Sequence, residues 1–269
     1  MAEKRKLSAT GISTFLDSPK KYYWRYIMGL SPISMSVTSY DHDRIFGTIW
    51  AAFVDRFYKG QAEESNVQVT FADWHEQTDW CPEKPKEKLT KALEQLTSNY
   101  YQMFSPEDGC RDPQKSELWL ENDRFCGRLD GLSAEGVIHE VKSTKRAQSV
   151  NEQLWKVQNS LQVRLYAVLA NATGSCVEFA YKEPPYSLFR GPVEQITMAQ
   201  IKLWEQEFNM IADDIDRRGD DPYNYLCNPD GCCIVSGYTT SMCPYSCLCE
   251  FGYTDETAIA FKTREERRS

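Results

Sequence analysis

Residues 127–144 read GRLDGLSAEGVIHEVKST. The stretch before it, SELWLENDRFC (116–126), alternates apolar and polar side chains, and so does VIHEVKST. SAEG between them is turn chemistry, so the segment predicts a β-hairpin. Asp130 ends one strand of the hairpin. Glu140 and Lys142 lie two apart on the next and share one face, while His139 and Val141 point the other way.

Working outward, residues 151–171 predict one long helix with Leu154, Leu161, Leu165, Val168 and Leu169 on its apolar side. Gln162 and Tyr166 stack on one face of it, and Gln158 continues that face. SCVEFAYKE (175–183) alternates again and predicts a strand. Thr197 and Gln200 form a capping-box pattern ahead of Ile201, Trp204, Phe208, Ile211 and Ile215, a phased amphipathic helix. Upstream, DRIFGTIWAAFVDRFY (43–58) predicts an apolar helix. Residues 85–104 predict another, opened by Pro85, and the stretch between the two reads as polar and irregular. SPEDGCRDPQ (105–114) reads as a boundary. Residues 8–30 predict a helical lead-in broken at Pro19, with KKYYWRYIMGL interleaving basic and aromatic residues. Its aromatics read as core side chains ahead of base-stacking ones. Lys20, Lys21 and Arg25 remain the candidate nucleic-acid contacts. The basic tail KTREERRS (262–269) reads as frayed and solvated.

The chain has 269 residues, 41% apolar and 26% charged, an ordinary globular balance. It contains no apolar run near the roughly 20 residues that span a bilayer. Its first ten residues, MAEKRKLSAT, lack a signal-peptide core, so the expectation is a soluble cytoplasmic protein. The formal charge of −8 speaks against a nucleic-acid partner. Yet a phosphate track needs local basic residues rather than a basic total, and metal-binding carboxylates themselves push the count negative.

Asp130, Glu140 and Lys142 bring two carboxylates and an ammonium to one end of the hairpin. Oxygen ligands of this kind suit Mg²⁺ or Mn²⁺. A metal held there polarises a phosphodiester and acidifies a water, and Lys142 can hold that water or stabilise developing charge. The competing reading is a cross-strand salt bridge on a solvated sheet. For Gln162 and Tyr166 the choice lies between orienting water and phosphate and an ordinary polar stripe.

Taken together, Asp130, then Glu140-Val141-Lys142, then Gln162-Val163-Arg164-Leu165-Tyr166 resemble the RecB-like branch of the PD-(D/E)XK nuclease superfamily, which includes CRISPR-associated and phage exonucleases. LSATGISTFLDSPKKYYWRYIMGL (7–30) resembles that branch's N-terminal signature, and GTIWAAFVD (47–55) resembles the helix that normally carries a metal-binding His. The resemblance implies an α/β, restriction-endonuclease-like fold: a mixed central sheet flanked by helices, with a cysteine-rich C-terminal segment. It implies one or two Mg²⁺ or Mn²⁺ ions held by Asp130, Glu140 and the Val141 carbonyl, with Glu117 adding a ligand directly or through water. Lys142 would position the attacking water. The expected His is missing. Trp50 and Ala51 stand in its neighbourhood, which leaves either a weaker metal site or Asp55, one turn on, as its substitute.

Six of the ten cysteines fall in CNPDGCCIVSGYTTSMCPYSCLCEFGY (227–253), and such bunching reads as metal ligation. Cys243-Pro244-Tyr245 with Cys249 resembles the cluster-binding pattern of the iron–sulfur members, and Cys232 or Cys233 would supply a third thiol. The N-terminal cysteine of that pattern is absent, because Ser18 precedes Pro19. Cys227, Cys247 or the other of the Cys232/Cys233 pair could complete a 4Fe-4S site locally, or Zn²⁺ could replace the cluster; the competing reading is unligated thiols in a loop. Cys81, Cys110, Cys126 and Cys176 read as small buried hydrophobes.

The expected organisation is a nuclease domain over residues 1–222, with a helical insertion at about 59–110, and a cysteine-rich segment over 223–269. The expected activity is hydrolysis of DNA phosphodiesters, exonucleolytic rather than site-specific, in DNA processing, recombination or repair. The alternative is a non-catalytic nucleic-acid-binding or scaffold protein on a degenerate nuclease fold. DNA is the expected partner, with no membrane role.

Overall fold

Ser8 accepts the Gly11 N–H at 3.2 Å and opens helix α1 (Ala9–Asp17), supplying one of the acceptors that a helix N-terminus lacks. Pro19 falls at the start of the next helix, α2 (Pro19–Tyr22), where its missing N–H costs nothing. The backbone then winds as a π-type turn over Tyr23–Ile27 and ends in a short strand, β1 (Ser31–Pro32).

The computed structural model describes residues 6–33, 39–79, 83–145, 149–226 and 244–263. The chain divides into two units, residues 1–36 with 206–269, and residues 37–205.

The second unit begins with three helices: α3 (Ser39–Tyr58), α4 (Glu63–Thr78) and α5 (Glu83–Met103). Helix α4 corrects the expectation of an irregular stretch. Its buried residues are Asn66, Thr70, Trp74 and Thr78, one every four positions, so its inward face is mostly polar. That face is satisfied by hydrogen bonds. Asn66 donates to the Phe53 carbonyl at 3.1 Å, and Arg56 donates to Asn66 at 2.8 Å and to Thr70 at 2.7 Å. A hydrophobic pattern cannot reveal a face of this kind.

The expected hairpin is a meander of three antiparallel strands, β2 (Ser116–Glu121), β3 (Cys126–Leu132) and β4 (Val137–Thr144). Gly136, with φ at 84°, closes the β3–β4 turn in a backbone region open to glycine. The helix expected over 151–171 is two helices, α6 (Val150–Gln158) and α7 (Leu161–Ala170). Ser160 makes the break: it leaves the helical conformation, and its side chain accepts the Val163 N–H at 3.3 Å as a fresh cap. The pair then forms the crossover that a parallel strand needs. Strand β5 (Gly174–Tyr181) pairs in parallel with β4, and β6 (Leu188–Arg190) and β7 (Glu194–Gln195) pair antiparallel with β5. All eight residues of β5 are buried, as expected of a strand covered on both faces.

Two layers cover this mixed sheet. Val141, Ala180 and Leu188 join Ile49, Trp50, Phe53 and Phe57 of α3 and Leu93 and Tyr100 of α5. On the opposite face Leu129, Leu132 and Ile138 meet Tyr166 and Ala167 of α7, and Val177, Phe179 and Tyr181 meet Leu154 of α6. Each fully buried large side chain contributes about 1.5–3 kcal/mol. The expected α/β architecture, a mixed central sheet flanked by helices, is therefore observed.

Helix α8 (Met198–Arg218) begins with the expected capping box: Gln200 N–H donates to Thr197 Oγ1 at 3.3 Å, and Thr197 N–H donates to Gln200 Oε1 at 2.8 Å. In the other unit follow α9 (Ser246–Phe251), α10 (Asp255–Ala258) and β8 (Phe261–Lys262), which pairs with β1. Among the described residues no helix is long and apolar enough to cross a membrane. Cys227, Cys232, Cys233 and Cys243 of the expected cluster site, Cys81, and the tail from residue 264 onward lie outside the described residues.

Candidate active site on strand β4

Strand β4 alternates as the sequence predicts. In register with β5, Glu140 sits beside Val177 and Lys142 beside Phe179, on the face covered by α6 and α7. His139 and Val141 sit beside Cys176 and Glu178 on the face covered by α3 and α5.

Glu140 is only 1% exposed. Its Oε1 is in ion-pair contact with Lys142 Nζ, and its Oε2 has no hydrogen-bond partner among the described residues. Burial, and then the neighbouring Asp130, raise its pKa, and Lys142 only partly offsets them. A carboxylate this deeply buried is costly to keep charged unless a cation meets its spare oxygen. Asp130 is half-buried, and its Oδ2 accepts the Val141 N–H at 2.8 Å, which locks it across the strand from Glu140.

Lys142 Nζ donates to Gln162 Oε1 at 3.1 Å, and Gln162 Nε2 donates to the Tyr166 hydroxyl at 3.2 Å. Burial works to lower the Lys142 pKa, but the Glu140 carboxylate, with Asp130 and Tyr166 behind it, outweighs burial and leaves it raised. Lys142 is thus held as a cation. Glu140, Lys142, Gln162 and Tyr166 therefore form one chain of contacts beside Asp130. Gln158 does not extend it: the α6–α7 break puts Gln158 on a separate helix, where it donates to the Pro192 carbonyl at 3.4 Å.

Glu117 is paired with Arg128 across β2 and β3, and its backbone has φ at 53°. Burial raises its pKa, followed by Asp130, with a smaller push from Asp55. Glu117 thus lies within electrostatic reach of both carboxylates. Asp55, on α3, also pairs with Lys59 at 2.9 Å. Trp50 is fully buried and stacks on Phe53, so the place expected for the His is occupied by core. Among the described residues no three His, Cys, Asp or Glu side chains form a group able to hold a metal ion by themselves.

Two features escaped the sequence. Gly127 sits under the Tyr166 ring, and a Cβ there would collide with it. Arg111 donates to the Asp130 carbonyl at 2.7 Å and to His139 Nδ1 at 2.6 Å, and its side chain fills the space that a Cβ on Gly131 would need. Two glycines flanking Asp130 inside a strand were the available signal, because strand glycines mark close approach.

In the other unit Tyr22, Tyr23 and Trp24 are buried, as their core reading expects. Lys20 Nζ donates to the Pro222 carbonyl at 2.6 Å and lies over the Tyr23 and Trp24 rings at 5.7 and 5.4 Å. Lys21 is half-buried, and Arg25 is exposed beside Tyr26. Cys247 and Cys249 are half-buried on α9. Cys176 is buried, whereas Cys110 and Cys126 are half-buried.

A family model of the PD-(D/E)XK nuclease superfamily matches residues 6–250. The chain belongs to this superfamily. Among solved structures, this PD-(D/E)XK chain is similar to a phage related exonuclease from Haemophilus somnus 129PT. The two are 13% identical with a TM-score of 0.36, over 48% of this chain and 71% of that one. It is also similar to a provisionally named exonuclease from Eubacterium rectale, at 10% identity and a TM-score of 0.49, over 82% of this chain and 84% of that one. No curated protein matches it. Membership gives this superfamily chain a nucleic-acid substrate class. It also bears out the resemblance to this superfamily.

Proposed function

We propose that this chain is a Mg²⁺- or Mn²⁺-dependent deoxyribonuclease that hydrolyses phosphodiesters from DNA ends, in DNA processing, recombination or repair inside the cell. The observation that carries this reading is the buried Glu140 oxygen next to Asp130 that has no hydrogen-bond partner among the described residues, with Lys142 fixed beside both.

The donor set fits a hard divalent cation. Mg²⁺ binds through one or two carboxylates plus substrate oxygens and waters rather than an all-protein cage. Asp130, Glu140 and the Val141 carbonyl would hold it, and Glu117 or Asp55 would reach it directly or through water. When bound, such an ion polarises the phosphodiester and acidifies a water. The chain's own groups do the rest. Lys142, kept cationic by Glu140, donates to the attacking water or to a phosphate oxygen where negative charge develops. Gln162 fixes the Lys142 ammonium, and Tyr166 fixes Gln162. Arg111 holds the Asp130 backbone from behind.

The test is end-labelled single- and double-stranded DNA incubated with Mn²⁺, alongside Asp130→Ala. Metal-dependent shortening by wild type, lost in the variant, supports the reading; cleavage that survives chelation sinks it. The second reading, a DNA-binding scaffold on the same fold, draws on Trp50 in place of the expected His. It predicts binding with no cleavage under any divalent cation.

A further inference from the structure

At the carboxyl ends of the parallel strands β4 and β5, beyond Thr144 and Tyr181, lies a cavity of about 170 Å³. Its wall carries Lys145 and Lys182 from just past the two strands, Lys88 from α5, Asp43 and the buried His42 from α3, and Glu183. Nothing in the nuclease mechanism above uses these residues. The charges are arranged unevenly. Lys182, 6% exposed, is paired with Asp43 at 2.6 Å. Glu183 is shared by Lys88 at 3.3 Å and Lys145 at 3.9 Å, so one carboxylate faces two ammonium groups. Among the described lining residues, three lysines face two carboxylates, an excess of positive charge. Water occupies about 30 Å³ per molecule in the liquid, so the space takes a phosphate group with several waters.

Position gives the cavity its meaning. Lys145 follows Lys142 by three residues along an extended strand, a rise on the order of 10 Å, and the odd offset turns it to the α3–α5 side of the sheet, so the cavity lies around the strand ends from Lys142. A phosphate bound by Lys88, Lys145 and Lys182 would lie within a few nucleotides of one at Lys142. We propose that this cavity is a phosphate-binding subsite that seats a phosphate of the substrate strand flanking the cleaved bond. The proposal rests on the nuclease reading for its substrate. Its ligand chemistry, a phosphate monoester or diester, is set by the lysines alone. On binding, the phosphate takes the places of Glu183 and Asp43 as the lysines' counter-ion.

The test is a binding measurement that needs no turnover. Fluorescence anisotropy of a short labelled single strand, in chelator, is read across a salt series for wild type and three variants. Lys88→Ala and Lys145→Ala, both on exposed side chains, should each weaken binding severalfold. Each should also flatten the slope of log K against log salt by about 0.7, the loss of one phosphate contact on a single strand. Glu183→Gln should act the other way and tighten binding severalfold, because it frees two lysines from their shared counter-ion. A merely structural role for these pairs would make all three variants weaker binders or none of them. Oligonucleotides bearing a 5′-phosphate, a 3′-phosphate or neither separate a terminal from an internal phosphate. Preference for one phosphorylated end assigns a terminal phosphate, and equal binding of all three assigns an internal one. An unchanged salt slope in both lysine variants, or weakened binding in Glu183→Gln, overturns the proposal. Wild-type binding in this assay, together with no cleavage of the same strand when Mn²⁺ is supplied, would overturn the nuclease reading and leave the subsite standing.

Discussion

The two faces of strand β4 carry similar side chains and treat them oppositely. On the α7 side, Glu140 is buried with a spare oxygen, and Lys142 reaches along a line of polar groups. On the α3–α5 side, His139 and Glu178 are fully buried inside a network that engages them from several directions. Arg190 donates to Glu178 at 3.1 Å and to Asp108 at 2.6 Å, and bonds to the Tyr58 hydroxyl. Tyr100 donates to Glu178 at 3.2 Å. Burial raises the Glu178 pKa, and Arg190 and Arg111 oppose that rise. Burial, with Arg111 and Arg190, keeps His139 well below its ordinary pKa and therefore neutral. Because Arg111 donates to its Nδ1, the proton sits on Nε2, facing Glu178 at 3.8 Å. Glu178 also keeps one oxygen, Oε1, without a hydrogen-bond partner among the described residues, but its Oε2 is held by both Arg190 and Tyr100, whereas Glu140 meets a single lysine whose side chain is 36% exposed.

The sharpest way to break this contrast is to take one group from each face. Glu140→Gln should cut cleavage by about 10⁴-fold, roughly 5 kcal/mol in barrier, while the urea midpoint stays level or rises. A variant that keeps more than a tenth of wild-type activity would remove Glu140 from the machinery. On the other face, Arg190→Ala leaves Glu178 buried without its main partner and should cost about 3–5 kcal/mol in unfolding free energy. Chemical denaturation of the variant reads this directly, and a loss under 1 kcal/mol would mean the network is ornamental. Between the faces, Gly127→Ala drives a methyl group into the Tyr166 ring, an overpacking that should cost about 1–3 kcal/mol. If the ring moves instead, cleavage falls while stability holds, so both readouts are needed. The smallest expected effect is that of Tyr166→Phe, about tenfold in kcat with an unchanged denaturation midpoint, from loss of the hydroxyl that steadies Gln162. Wild-type kinetics in that variant would leave Tyr166 as packing alone.

These contrasts also explain what could be read from the chain before its fold was known. The alternation around Asp130 and Glu140-Val141-Lys142 was legible, because a strand's period of two sorts side chains to faces whatever the partner. The α6–α7 break was not. The apolar spacing from Leu154 to Leu169 runs straight through it, and Ser160 looks like any polar residue until its hydroxyl caps Val163. Helix α4 was hidden because Asn66 and Thr70 meet polar partners on other helices, including the Phe53 carbonyl, Arg56 and Tyr101, while Thr78 bonds back to the Trp74 carbonyl of its own helix. Arg111 and the whole Glu178 network were invisible for the same reason. Each member looks like an ordinary polar residue until partners 12 to 132 residues away are brought to it.

The meander-and-helix arrangement also bears on the order of events during folding. Asp130, Glu140, Lys142, Gln162 and Tyr166 all belong to one stretch of chain between positions 130 and 166. The sealed network on the other face spans Tyr58 to Arg190. Closing the longer loop costs about 1 kcal/mol more in chain entropy, since that cost grows with the logarithm of loop length. We therefore expect the strand–turn–strand and α7 to find one another before the network closes behind them. Conservative truncations such as Val163→Ala should then slow refolding, whereas truncations around Arg190 should chiefly speed unfolding. Equal partition of both sets between the two rates would reverse that order. The nascent chain, on this view, assembles the carboxylates of the candidate site early and only later acquires the interior that holds them still.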